Sequence, residues 1–595
     1  MRSAWRSLGG LVALLIAGSA MAADPGKVLR IAFPVAETGF DPVRVSDLYS
    51  NIVNEAIFER LLTYDYLARP AKIVPQTAEA LPEVSDGGRT YVLHLKRGIY
   101  FAPDPAFKGK KRELTAEDYV YSFKRFADPK NRAPYGFMIQ GRIEGLDEQA
   151  EAAKKSGKFD YDATIPGMVA LDKYTLRFKL TKADYLFPYT LAHVPYGAVA
   201  REVVEAYGDD AQAHPVGTGP YVLKEWRRAA KIVLEANPNY RDVTWDFRPS
   251  GPDAWDEGVV TAMNGKKIPQ IGRVEISVIE ENQSRWLAFQ RKELDYLPVP
   301  ATFTDQALDA DNKLKPQWTK EGVTLFRAID PSVGYTFFNF RDPLVGGFSK
   351  EKIALRRAII MGYDIDQEIR VIAKNQEVQA QMPIPYGVVG YDPGYRNVNQ
   401  YDPPLANKLL DYFGYRKGPD GYRTLPDGKP LVLRQATGTA AIDREYSELW
   451  KKSMDAIGIR IQFEPGKFSD TLKATKACQV MMWQAAWTAD YPDGDNFMQL
   501  LYGPNTGESN NGCYESKAYD ALYEKSLTLP TDSVERTRLF IDMTRQMEVD
   551  GAWSLQSSPI RNQLIRPWVK GYKKHPILQA EFVYLDIDLK GSGNQ

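Results

Sequence analysis

The chain has 595 residues, with 76 basic and 76 acidic side chains and therefore no formal net charge. That length is too great for one core and fits two or three compact domains, while the charge balance excludes a global field that would draw in nucleic acid or an anionic membrane. A 44% hydrophobic and 26% charged composition is that of an ordinary soluble protein, but 34 Tyr and 11 Trp supply flat faces with polar tips, suited to a ligand cleft as well as to a large core. The four histidines, His94, His193, His214 and His575, are too scattered for a zinc site, so neither a metal nor a His-dependent hydrolase is expected.

The first 22 residues read as an export signal. Arg2 and Arg6 form a positive region, Leu8 to Ala17 an apolar one, and Ala20-Met21-Ala22 a cleavage site, so processing is expected near Ala22. The apolar run is too short to span a bilayer, and no cysteine beside the cleavage site could take a lipid. The mature chain is expected to be soluble in a bacterial periplasm. Cys478 and Cys513 are the only cysteines; in an oxidising compartment they form a disulfide worth roughly 3–4 kcal/mol, or stay as two buried thiols.

In chain order, Val28 to Phe33 reads as a strand, Leu48 to Leu62 as a helix, and Arg89 to Leu95 as a strand after the turn Ser85 to Gly88. Thr115 caps a helix with Asp118 at the capping-box position, and Lys173 to Leu180 alternates as a strand. Gly217 and Gly219 feed a strand from Tyr221 to Leu223; they lack the lysine of a phosphate loop. A strand over Arg273 to Ile279 and a helix over Asn282 to Leu294 follow. A second α/β unit begins with the strand Tyr335 to Phe340 and a helix capped by Ser349. It continues with a helix around Leu405 to Phe413, a strand at Leu431 to Arg434, a helix at Asp443 to Ile457 and a strand at Arg460 to Phe463. Two late helices, Ser516 to Thr528 and Asp532 to Asp550, precede an aromatic-rich end. Two successive α/β units imply lobes facing a cleft.

Val480 to Phe497, V-M-M-W-Q-A-A-W-T-A-D-Y-P-D-G-D-N-F, begins as an apolar strand and ends in a Pro/Asp/Gly turn. Trp483, Trp487 and Asp490 offer two indoles and a carboxylate to a small cationic group; Asp490 could equally cap the turn. Asp490, Asp493 and Asp495 with Trp487 as a sugar platform would also permit an exported glycosidase, although no second acid motif accompanies them.

Five segments in order resemble the family 5 extracellular solute-binding proteins, the receptors of ABC importers. They are Ser85 to Phe101, Leu114 to Arg125, Val216 to Trp226, Phe338 to Leu344 with Lys352 to Asp366, and W-T-A-D-Y-P-D-G-D-N-F from Trp487 to Phe497. The resemblance implies an α/β, type II-like periplasmic binding fold, a two-lobed cleft with an extra third domain and a discontinuous chain. Lobe I takes residues 24–63, 194–328 and 557–595; lobe II is the insertion 64–193; lobe III is 329–556. It implies a non-enzymatic, monomeric receptor without cofactor that captures an oligopeptide or dipeptide and delivers it to an inner-membrane permease. The same fold elsewhere takes metal complexes, haem, opines or sugars.

By the same resemblance, Asp490 forms a salt bridge with the peptide's α-ammonium group, the backbone of Ala486 to Thr488 (with Trp487 between them) binds the peptide as an added strand, and Ala489 is a further ligand-binding residue. Trp487 walls a side-chain pocket, Trp483 is either wall or core, and Tyr135 meets the ligand on closure or forms a surface turn. Ser46 and Asp47 sit at the cleft edge. An arginine found shortly before this motif in some oligopeptide binders is Gln484 here. The stretch 241–270, absent from shorter members, has no assigned role.

Overall fold

The computed structural model describes residues 23–590 other than 440, 467 and 508; the export signal lies outside the described residues. Three sheets carry the architecture. The first places Asp24–Phe33 parallel to Ile271–Val278, followed by Lys231–Ala236 and Tyr221–Arg227 in antiparallel order. The second is a four-stranded antiparallel sheet of Glu83–Ser85, Thr90–His94, Thr175–Lys179 and Met168–Asp172, packed by the helix Ala116–Ala127. Its capping box is formed, with Thr115 N–H donating to Asp118 Oδ2 at 2.8 Å. One apolar cluster containing Ile31, Leu93, Phe123, Leu176 and Ile276 runs through both sheets, so these two regions share a core.

The third sheet orders Arg460–Pro465, Val432–Thr437, Met482–Thr488, Ser332–Phe338 and Trp553–Leu555. Strand alternation sends Val333, Phe337 and Trp483 into one apolar cluster and Phe338, Leu433 and Met482 into another with Leu355 and Trp450. Among the described residues, two short passages join this sheet directly to the neighbouring sheet of Thr324–Ile329, Ser557–Ile565, Tyr296–Pro298 and Glu377–Gln379. One passage is Asp330-Pro331, between Ile329 and Ser332; the other is Gln556, between Leu555 and Ser557. Arg561 clasps Asp330 with two hydrogen bonds of 3.0 and 2.9 Å beside the first passage. Both connections are short, two residues and one.

Several boundaries differ from sequence expectation. The helix expected to reach Leu62 ends at Ile57, and Leu62–Tyr64 pairs as a strand with Ile73–Pro75. The reason lies with two glycines: Gly219 N–H donates to the Ile57 carbonyl at 2.8 Å, removing the acceptor that a continuing helix needs. A Cβ on Gly217 would sit 2.0 Å from that same oxygen, so the two glycines serve backbone packing rather than a phosphate. Ser349 occupies the N-cap of Lys350–Gly362 without donating or accepting a capping side-chain bond. The stretch 241–270 forms the short pair Val243–Thr244 and Lys267–Ile268 around the helix Ala254–Met263. Trp245 is fully buried, and Trp255 Nε1 donates to the Tyr572 carbonyl at 2.8 Å, tying the stretch to the C-terminal segment.

Candidate functional site

Met482–Thr488 delivers Trp487 to the end of the third sheet, and the chain then turns through Asp490-Tyr491-Pro492-Asp493-Gly494 into the short helix Asp495–Met498. Asn496, on that helix, organises the turn. Its Oδ1 accepts from Trp487 Nε1 at 3.1 Å and from Asp490 N–H at 2.9 Å, and its Nδ2 donates to Asp490 Oδ2 at 3.1 Å. One amide thus fixes both the indole and the carboxylate. Asp490 has no cationic partner among the described residues. Burial pushes its carboxyl up to about 6, and the Asn496 amide pulls it partway back.

The other two acids of the turn are occupied. Asp493 takes 2.6 and 2.8 Å hydrogen bonds from the Arg536 guanidinium, a pair with 0% and 1% side-chain exposure. Asp495 accepts from the hydroxyls of Tyr491 and Tyr523 at 2.6 and 2.7 Å. A pair of carboxylates free for glycoside hydrolysis is therefore missing from this motif.

Backbone beside Asp490 is open to an added strand. On one side Met482–Thr488 pairs along its whole length with Ser332–Phe338. On the other, Val432–Thr437 meets it only at Gln435–Met482 and Ala436–Trp483, so residues 484–488 face no strand there among the described residues. Ala486 and Thr488 are exposed, Trp487 half-buried. Ala489, also expected to bind ligand, already uses its N–H, which donates to the Pro331 carbonyl at 2.9 Å.

Tyr135 is held between Ser46 and His193. Its hydroxyl donates to the Ser46 carbonyl at 3.3 Å, its ring meets His193 edge-on at 4.6 Å, and burial followed by the charges of Asp490 and Asp47 raises its pKa. Ser46 is exposed beside it. Asp47 is the N-cap of Leu48–Ile57: Oδ1 accepts from Ser50 N–H at 2.8 Å and Oδ2 from the hydroxyl of Thr38 in the preceding loop at 2.5 Å, so both its oxygens have donors. Trp483 is 8% exposed and meets Phe337 edge-on; it is core, with one edge reaching a cavity. Across the cleft, Tyr189 stacks on Tyr491 at 5.4 Å and 20°, bringing the second and third sheets' regions together.

Asn496, the residue that positions Asp490, escaped the sequence reading; its only signal was an amide following the acidic turn. Cys478 and Cys513 are joined by a disulfide whose loop encloses Trp487, Asp490 and Asn496. Of the histidines, His575 is fully buried with Nδ1 accepting from Ile577 and Leu578 N–H at 2.9 and 2.8 Å; burial pushes His193 down to about 3.

The chain belongs to the bacterial extracellular solute-binding proteins, family 5, whose profile matches residues 72–509. Among curated relatives it is 25% identical over 593 residues to "Di/tripeptide-binding protein 2" of Pseudomonas aeruginosa, covering 97% of this chain and 98% of that one. It is 23% identical over 562 residues to "Heme-binding protein A" of Haemophilus influenzae, covering 93% and 91%. Its fold matches the periplasmic binding protein DppA from Helicobacter pylori solved with the peptide STSA, at a TM-score of 0.70 and 22% identity over 94% of this chain and 99% of that one. The multi-lobed, type II-like α/β architecture expected from the sequence is that of these neighbours.

Proposed function

We propose that this protein is the periplasmic receptor of an ABC importer that captures peptides by their free amino terminus. The observation that carries the reading is Asp490, a half-buried carboxylate with no cation of its own, fixed by Asn496 at the end of an unpaired strand edge. A buried charge needs a partner, and the α-ammonium group supplies one only when ligand is present. Residues 484–488 then hydrogen-bond the peptide main chain irrespective of sequence, and Trp487 gives an apolar wall. Peptide-binding relatives of similar length support the cargo class.

The lobes take the limits 24–63, 194–328 and 557–595 (I), 64–193 (II) and 329–556 (III), a division supported by the paired passages at Asp330-Pro331 and Gln556. Closure about these passages brings Tyr135 of lobe II over Asp490, and the closed form docks as a monomer on the permease. The protein catalyses no reaction. Native mass spectrometry of protein purified without denaturation tests this. Co-purifying peptides with free amino termini are expected; a sugar, or a haem or metal complex without a free amine, overturns the peptide reading and leaves the fold.

A further inference from the structure

A cavity of about 600 Å³ opens beside the unpaired edge, lined by residues 484–487 of that strand. Its floor is small: Ser332, Gly334 and Ala486 leave room over the sheet. Its walls bring in three carboxylates from three separate elements. Glu368 comes from the turn after Ile365–Gln367, Glu377 from the short strand paired with Ser557–Pro559, and Asp443 from the helix Ala441–Ala456. Among the described residues no Lys, Arg or His lines it; Lys467, next to the lining Gly466, lies outside them.

The polar inventory is one-sided. Gln435 and Gln556, 3% and 1% exposed, line the cavity and leave their Oε1 atoms without a hydrogen-bond donor among the described residues. Among the described residues that line the cavity, Trp450 Nε1 is the single orphaned donor against these two orphaned acceptors. Glu368 accepts from the Tyr363 hydroxyl and Glu377 from the Ser557 hydroxyl, and Tyr446 lies within the field of Glu368, Glu377 and Asp443. An acceptor-rich cavity of this size suits a donor-rich cation. It repels a carboxylate, and Gln484 on its wall offers no positive charge to one.

We infer that this cavity is the subsite for a basic side chain, so that the preferred cargo is a peptide carrying a lysine or arginine in addition to its free amino terminus. The inference rests on the peptide reading and names its side-chain preference. The ammonium or guanidinium hydrogen-bonds Glu377, Asp443 and the orphaned Gln oxygens, and its aliphatic stem lies along Trp450 and the Trp483 edge. Burial, opposed by the Tyr363 hydroxyl and helped by Glu377, pushes Glu368 up to about 8. An entering cation then displaces its proton, so binding of a basic peptide releases protons that binding of a neutral one does not.

Isothermal titration with alanine peptides of two to five residues, each position replaced in turn by lysine, norleucine or glutamate, tests this. At one position lysine should bind at least about tenfold tighter than norleucine, the scale of a buried charge-assisted hydrogen bond, and glutamate should bind weakest. Titration in phosphate and in Tris at pH 7.5 should show proton release with that lysine peptide in excess of its norleucine counterpart. Glu377→Gln and Asp443→Asn should shrink the lysine-to-norleucine ratio to below about threefold, with circular dichroism reporting that each variant is folded. Equal affinities for lysine and norleucine at every position, while the alanine peptides bind, overturn the subsite and leave the receptor standing. Failure of every peptide, alanine series included, overturns the proposed function and this inference with it.

Discussion

Asp490 and Asp493 lie three residues apart in one turn and have opposite surroundings. Asp493 is fully enclosed and doubly hydrogen-bonded to Arg536, whose guanidinium also lies 4.6 Å from the Phe540 ring centre. Asp490 is held by one neutral amide and left without a cation. The first is a finished ion pair inside the core; the second is half of one. On the proposed function, the same residue type in the same motif divides between structure and recognition, according to whether the chain itself provides the opposite charge.

That difference can be broken from the structural side first. Arg536→Met leaves Asp493 buried without a partner and should destabilise the protein by about 3–5 kcal/mol, read as a lower midpoint in urea unfolding. Next in size, replacing both Cys478 and Cys513 by serine frees a loop closed over 35 residues and should cost roughly 3–4 kcal/mol. Because that loop encloses Asp490, ligand affinity should fall as well.

On the recognition side the sign reverses. The Asp490 carboxyl titrates near 6 in the folded chain, above its unfolded value, so its ionisation destabilises the unliganded fold at neutral pH. Asp490→Asn should therefore stabilise the unliganded protein by about 1–2 kcal/mol at pH 7.5, partial exposure trimming the full effect of the shift. The gain is present above the folded value and fades as pH falls toward 4, which thermal melts across that range will show. The smallest effect is on binding between pH 7 and 5: affinity for a neutral peptide should fall several-fold as Asp490 takes up its proton, and remain flat in Asp490→Asn.

Much of this was legible in the residues. The W-T-A-D-Y-P-D-G-D-N-F segment marked the end of a strand, and alternating stretches such as Thr175–Lys179 appeared near their expected places. What the sequence did not show depends on chain contacts remote from any local pattern. The end at Ile57 goes with a glycine 162 positions further on, Gly219, whose N–H takes the Ile57 carbonyl, and with the close approach of Gly217 beside it. Asp47 looked available for ligand because its donors, the Thr38 hydroxyl and the capped Ser50 N–H, carry no signal that distinguishes a cap from a cleft edge. Glu368, Glu377 and Asp443 come from three elements brought together only by the order of strands in the third sheet and its neighbour; no spacing links them. The buried packing of Trp245 within the 241–270 stretch likewise depends on Tyr66 and Phe247 around it.

The proposed function turns on one pairing, that of Asp490 with the ligand's amino terminus. Its most direct test compares one tight-binding peptide with its N-acetylated form, on the native protein and on Asp490→Asn, by calorimetry. Acetylation should cost the native protein at least about a hundredfold in affinity, the scale set by an unpaired buried charge, and should cost the variant little more. Equal binding of the free and acetylated peptides by the native protein would contradict it.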